Sequence, residues 1–242
     1  MAVIEGRLAD SPRDPAGQSL PGPGEALVAR DLYRFFRSGD EETLALRGVS
    51  VRVAPGEVVA VVGPSGSGKS TLLACLAGLD EPAGGAVWIA GERISHRPEI
   101  ERSRIRGRRV GVLLQSGNLV AHLSIRDNVR LAQRSAAGRP VQSALDAVER
   151  VGLGERAHAL PRQLSGGELA RAGLAVAMAN SPVVLLADEP TGELDGDTEA
   201  RVLRLIREHA SGGTAVLLVT HSPAVVRFAD RVIALHDGRV TP

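Results

Sequence analysis

Val58-Val59-Ala60-Val61-Val62-Gly63-Pro64-Ser65-Gly66-Ser67-Gly68-Lys69-Ser70-Thr71 decides the fold. Its first five residues are apolar and mostly β-branched, the mark of a strand buried on both faces of a parallel sheet. Gly63 to Ser70 then fits G-x-x-x-x-G-K-[ST], and residues 70–79 read as a helix ending near Gly78. Strand, glycine-rich loop and helix in that order are the context a phosphate-binding loop requires. Gly63, Gly66 and Gly68 let backbone N–H groups turn inward around phosphate oxygens. Ser65, Ser67 and Thr71 complete the nucleotide-binding run, and the helix adds its positive N-terminal end. Lys69 is suited to the β and γ phosphates of a nucleotide, and the Ser70 hydroxyl to Mg²⁺.

Lys69 is also the only lysine among 29 Lys and Arg residues. Arginine offers a broad planar fork, lysine a compact ammonium on a flexible stem. The single position that keeps lysine is the one where a small cation must sit between a tight backbone loop and a polyphosphate.

The chain has 242 residues, enough for one large α/β domain with a subdomain or two small domains. Hydrophobic residues make up 43% and aromatic residues 2%, so the core is aliphatic. A net charge of +1 gives no global field for nucleic acid or an anionic membrane. A single cysteine, Cys75, excludes an internal disulfide framework. No apolar run reaches the roughly 18 residues a spanning helix needs, and residues 1–15 do not read as a secretory signal. Membrane work would need another chain to supply the spans.

Residues 1–24, rich in Pro, Gly and Ser, read as a flexible tail, and residues 25–242 as one domain. Segments 26–31 and 44–53 suit strands of an antiparallel layer. Segments 86–90, 110–115, 183–187 and 215–220 read as further strands, and 232–234 with 239–240 as a closing hairpin. Residues 116 to about 165 favour helices, broken at Gly138-Arg139-Pro140 and at Gly152-Leu153-Gly154, so a helical insert splits the α/β core. Residues 166–180 and 197–209 read as helices of the core.

The run 183–187 ends on Asp188-Glu189. Two acids at a strand end can simply start a helix, since Glu189-Pro190 looks like a cap. Beside a phosphate loop they suit a metal ligand and a general base.

Leu164-Ser165-Gly166-Gly167-Glu168 precedes that strand, and Asp188-Glu189-Pro190-Thr191-Gly192-Glu193-Leu194-Asp195 continues it. With Gln115 and His221, the set resembles the ATP-binding cassette (ABC) ATPases over nearly the whole chain, from about residue 26 to 240. The resemblance implies a RecA-like phosphate-loop core with an antiparallel layer and a helical subdomain. It implies ATP as substrate, Mg²⁺ as cofactor, an integral-membrane permease as partner, and attachment to the cytoplasmic side of the membrane. It also implies pairing with a second copy or a homologous subunit, without nucleic acid.

Site residues follow position by position. Asp188 matches the Mg²⁺ aspartate, Glu189 the general base and His221 the switch histidine that touches the γ-phosphate. Gln115 matches the glutamine that senses Mg²⁺ and the membrane partner. Ser165, Gly166 and Gly167 match the segment that caps ATP on the opposite subunit, and Asp195 an aspartate at the dimer interface. Counting back from Ala45-Leu46 favours Phe36 as the adenine-stacking aromatic, with Tyr33 and Phe35 close enough to compete. Phrases such as Gln115-Ser116-Gly117-Asn118-Leu119 and Asp127-Asn128-Val129 are similar to ATPases of lipoprotein-release, macrolide-export and cell-division systems. ABC import systems are the alternative, and non-transport ABC proteins, with long coiled-coil inserts or tandem cassettes, a weaker one.

Four positions depart from the family pattern. Leu169-Ala170 stand where it usually has Gln-Gln, Ser222 where it usually has an acid, and Glu193 where this subgroup often has Asn. Arg102, Arg104, Arg106, Arg108 and Arg109 lack interleaved aromatics and read as a solvated face rather than a nucleic-acid patch. His96, His122, His158, His209 and His236 have no metal-ligand spacing and read as surface residues. Cys75 and Trp88 read as core.

Overall fold

The computed structural model describes residue 22 and residues 24–38, 41–136, 142–192 and 194–241. The expectations for the tail (bar Gly22 and Gly24), for Gly138-Arg139-Pro140 and for Glu193 lie outside them.

Two sheets carry the fold. The first is antiparallel, in the order β2-β1-β4-β5. It comprises β1 (Leu27–Ser38), β2 (Glu41–Val53), β4 (Gly84–Ile89) and β5 (Glu92–Arg93). The second has the order β10-β9-β3-β8-β7-β6. Its strands are β3 (Val58–Val62), β6 (Val110–Leu113), β7 (Val184–Asp188), β8 (Ala215–Val219), β9 (Arg231–His236) and β10 (Arg239–Thr241). All its pairings are parallel except the closing β9–β10 hairpin.

The apolar runs explain the second sheet. Val58, Val59, Ala60 and Val61 are fully buried, as are residues 184–187 and 215–218, because both faces of the sheet are covered. Helix α1 (Lys69–Leu76) lies on one face. Its Leu72, Leu73 and Leu76 join Val59, Val61 and Leu217 beneath the antiparallel layer residues Leu27, Val49 and Val51. Burying each such leucine stabilises the fold by about 2 kcal/mol. On the other face, α5 (Gly166–Ala177), α6 (Gly196–Ser211) and α7 (Pro223–Phe228) pack Leu174, Val202, Ile206 and Val225 against Leu185 and Leu218.

The helical insert has its own core. Helices α3 (Ile125–Ser135) and α4 (Ala144–Arg150) bury Ile125, Val129 and Val148 against Ala172 and Ala175 of α5. Buried Asn128 ties the preceding loop to α3: its Oδ1 accepts from Val120 N at 2.7 Å and its Nδ2 donates to the Leu123 and Ser124 carbonyls.

The charged stretch 99–109 is helix α2 (Glu99–Arg109), with Ile105 alone buried. Its arginines are mostly paired: Arg102 with Glu81 and Glu99, Arg106 with Glu99, Arg109 with Glu92. Trp88 and Cys75 are fully buried. Four of the five histidines read as surface residues are exposed; His209 is half-buried, and burial pushes its pKa down.

Parallel strands place their C-terminal ends along one edge, where ligands of open α/β sheets bind. Here that edge carries the Gly63–Lys69 loop after β3, Glu189 after β7, His221 after β8 and Gln115 after β6.

Candidate nucleotide site

The phosphate loop takes a shape only glycine tolerates. Gly63 (φ 154°) would drive a Cβ to 2.0 Å from the Leu235 carbonyl oxygen, and Gly68 (φ 101°) to 2.4 Å from that of Ala45. The loop is thus wedged between β9 and β2, which fixes where its N–H groups point. Lys69 Nζ donates to the Gly63 and Pro64 carbonyls at 2.8 and 2.9 Å, holding its charge over the loop. Ser67 is buried and its Oγ has no hydrogen-bond partner among the described residues. Ser65 and Gly66 face solvent.

Ser70 Oγ donates to Asp188 Oδ2 at 2.9 Å, joining the loop after β3 to the end of β7 across the intervening β8. Hydroxyl, carboxylate and the exposed Gln115 amide are hard oxygen donors, the set that Mg²⁺ takes together with phosphate oxygens. No cluster of three or more His, Cys, Asp or Glu fit for a metal occurs among the described residues.

Glu189 sits in a strained left-handed conformation (φ 47°). Its N–H donates to the Val219 carbonyl at 2.9 Å, pinning β7 to β8. The nearly buried carboxylate meets His221 Nδ1 at 2.6 Å and accepts from Thr220 Oγ1 at 3.3 Å. This geometry aims a carboxylate and an imidazole together at the strand edge.

Gln115 is presented by a clamp. Asn118 Oδ1 accepts from Leu114 N at 2.7 Å and its Nδ2 donates back to Leu114 O. Gln115, Glu189, His221 and Gly166 line one cleft of about 510 Å³, and the family departures Leu169 and Ala170 form part of its wall. Lys69 and Ser65 lie outside it.

Ser165 caps α5: its Oγ accepts from Glu168 N at 3.3 Å, while Glu168 accepts from Ser165 N at 2.9 Å. That backbone bond holds the Glu168 carboxyl below the usual range. Asp195 caps α6 through Thr198 N, which likewise lowers its pKa. The segments meet: a Cβ on Gly167 would lie 2.4 Å from Thr198 Cγ2. Gly167 therefore lets α5 approach α6, a packing role that sequence reading missed. Ser165 and Asp195 are both exposed.

Tyr33, Phe35 and Phe36 are all partly exposed. The Tyr33 ring packs over Gly48 and Gly84, which gives it a structural task. Phe36 has the Arg34 guanidinium 4.7 Å from its ring centroid, and Asp80 anchors that guanidinium through two bonds of 2.8 and 2.9 Å.

A glycine-rich loop between a buried parallel strand and a helix, with an acid pair at a neighbouring strand end, defines a phosphate-loop nucleoside triphosphatase. A family profile described as "ABC transporter" matches residues 46–192. The chain is 42% identical to the lipoprotein-releasing system ATP-binding protein LolD of Pseudomonas syringae pv. tomato, over 88% of this chain and 96% of that protein. It is 38% identical to the macrolide export ATP-binding/permease protein MacB of Azoarcus sp., over 92% of this chain and 34% of that longer protein. The fold matches the dimeric post-hydrolysis structure of the ATP-binding cassette MJ0796 bound to ADP and Pi. The TM-score is 0.83 and the identity 34%, covering 89% of this chain and 97% of that one. The chain belongs to the ABC transporter family, as an ATP-binding subunit akin to the LolD and MacB ATPases, and it hydrolyses ATP.

Proposed function

We propose that two copies of this subunit, or one copy and a homologue, close around two ATP molecules and drive a separate membrane permease of the export or force-transmitting kind. The observation that carries this reading is the split of the site. Lys69, Ser70, Asp188, Glu189, Gln115 and His221 gather along one sheet edge, whereas Ser165, at the N-terminus of α5, is exposed and lies outside the cleft that Gln115, Glu189 and His221 share with Gly166. Ser65 and Gly66 are exposed too, so a second copy can lay its Ser165-side segment over this loop. The relative bound to ADP and Pi is described as dimeric.

In this reading Lys69 and the loop N–H groups hold the β and γ phosphates, and Phe36 stacks on the adenine. Ser70, Asp188 and Gln115 would hold Mg²⁺, which when bound neutralises developing charge on the phosphates. Glu189 polarises the attacking water and His221 contacts the γ-phosphate while keeping Glu189 oriented. Ser165, Gly166 and Gly167 act on the partner's nucleotide, and Asp195 lies at the interface. Gln115 senses Mg²⁺ and the membrane partner, and ATP binding favours the closed dimer by population shift. Among the described residues no helix is long and apolar enough to cross a membrane, so the permease supplies the attachment to its cytoplasmic face.

The test is Glu189→Gln with ATP. It keeps nucleotide binding, loses hydrolysis and accumulates as a dimer in light scattering. A variant that binds ATP but stays monomeric overturns the paired-site reading.

A further inference from the structure

We propose that Glu199 is a positioning residue for ATP hydrolysis, supplying from α6 the carboxylate that this chain lacks at position 222, directly after His221 in sequence. One oxygen of Glu199, Oε1, accepts two hydrogen bonds from two different loops. Thr191 Oγ1 donates to it at 2.8 Å from the segment that follows Glu189. Ser222 Oγ donates to it at 2.8 Å from the segment that follows His221. Thr191 is buried, so its hydroxyl needs this acceptor.

The connection continues to the reacting groups. Ser222 N donates to Thr220 Oγ1 at 2.9 Å, and Thr220 Oγ1 donates to Glu189 Oε2 at 3.3 Å. His221, between them in sequence, meets the other Glu189 oxygen at 2.6 Å. Glu199 thus fastens together the two loops whose relative placement sets the His221–Glu189 pair. Ser222 is the position where an acid is the usual residue, and its hydroxyl turns the hydrogen-bond requirement toward α6. A serine at 222 without Glu199 would leave the Thr191 and Ser222 hydroxyls without this shared acceptor. An aspartate at 222 beside Glu199 would set two carboxylates against each other.

This inference rests on the reading of Glu189 and His221 as the hydrolytic pair, and the experiment separates the two. ATP turnover is measured on the full chain for Glu199→Ala, Ser222→Asp and the double variant, alongside Glu189→Gln. Glu199→Ala is expected to lower kcat about ten-fold with little change in KM, since misplacing a catalytic group costs rate rather than binding. Ser222→Asp alone is expected to lower kcat as well, and the double variant to recover most of it. A purely structural Glu199 would give losses that add. If Glu199→Ala keeps wild-type kcat, or the double variant is no better than Glu199→Ala, the proposal is overturned. If Glu189→Gln itself turns over ATP normally, the site reading has failed, and this proposal with it. Abolished turnover in Glu189→Gln beside an unaffected Glu199→Ala overturns this proposal alone.

Discussion

Ser70 Oγ and Asp188 Oδ2 lie 2.9 Å apart although the two residues are 118 positions apart in sequence, and this bond joins the phosphate loop to the acid pair. Both atoms are Mg²⁺ donors in the proposed site. Asp188→Asn keeps an oxygen acceptor for Ser70 but removes the charge. It should fold normally and need a Mg²⁺ concentration raised by about ten-fold or more for half-maximal ATPase activity. A Mg²⁺ titration of phosphate release checks this, and an unshifted midpoint contradicts the assignment.

Lys69 Nζ sits 2.8 Å from the Gly63 carbonyl and 2.9 Å from that of Pro64. That seat accepts a compact ammonium. A guanidinium is wider and planar, and would displace either the loop or the phosphates. Lys69→Arg should therefore lower kcat by about a hundred-fold, although every other cation in the chain is already arginine. Wild-type hydrolysis by this variant would show that charge alone, and not its shape, is required there.

The legible parts of this protein are those where burial and periodicity coincide. Residues 58–62, 183–187 and 215–220 read as strands because both faces of the sheet are covered and the run is unbroken; the strands run over 58–62, 184–188 and 215–219. The reach of β1 to residue 38 was not legible beyond about residue 31. Register shifts between Leu32 and Tyr33 and between Arg34 and Phe35 break the alternation on which strand reading depends. Helix α2 buries only Ile105, so it shows no apolar stripe; ion pairs to Glu81, Glu92 and Glu99 hold three of its arginines instead. The strand-end acids and the glycine loop could be read because their chemistry is local. The Glu199–Ser222 bond could not, because it joins residues 23 apart on different elements. Gly167 could be read as part of an anion site but not as the residue that admits Thr198.

Asp230 joins β9 to the core. Its carboxylate accepts from Val58 N at 2.8 Å and from Arg207 at 3.0 Å, and the Arg207 hydrogen bond, ahead of the Val58 bond, holds its pKa below the usual carboxylate range. A carboxylate whose pKa is depressed by folding stabilises the protein above its unfolded pKa, near 4. That contribution is lost as pH falls through the folded value. Solvent reaches the pair, so the effect is held to about 1 kcal/mol. Urea unfolding of Asp230→Asn should show lower stability at neutral pH and a shallower fall on acidification than the parent. Parallel curves would contradict the linkage.

Cys75 lies fully buried on α1. Burial, and then the negative charge of Asp80, push its thiol pKa up to about 12. The thiolate is the reactive form, so the native chain should resist alkylation at neutral pH and label at once when denatured. Mass spectrometry after timed exposure to iodoacetamide checks this; rapid native labelling would mean that α1 opens readily from beneath the antiparallel sheet.

Gly63 and Gly66 belong to one loop but answer to different constraints. At Gly63 a Cβ would stand 2.0 Å from the Leu235 backbone oxygen, and backbone cannot swing aside as a side-chain tip can. Gly63→Ala must push β9 away from β3, disturbing a central parallel pairing, and should cost about 3 kcal/mol or more. At Gly66 a Cβ meets nothing within 4 Å, so only the strain of φ 79° opposes a side chain. That strain is about 1 kcal/mol, equivalent to a few degrees in Tm for a chain of this size. Thermal melts of the two alanine variants should therefore diverge widely. Gly66→Ala should also weaken ATP binding more than its small stability loss explains, because in the proposed site the exposed loop presents its N–H groups to phosphate at that residue. Equal melting losses would mean that the wedge between β9 and β2 relaxes freely; full ATP affinity in a stable Gly66→Ala would mean that the loop binds phosphate without that conformation.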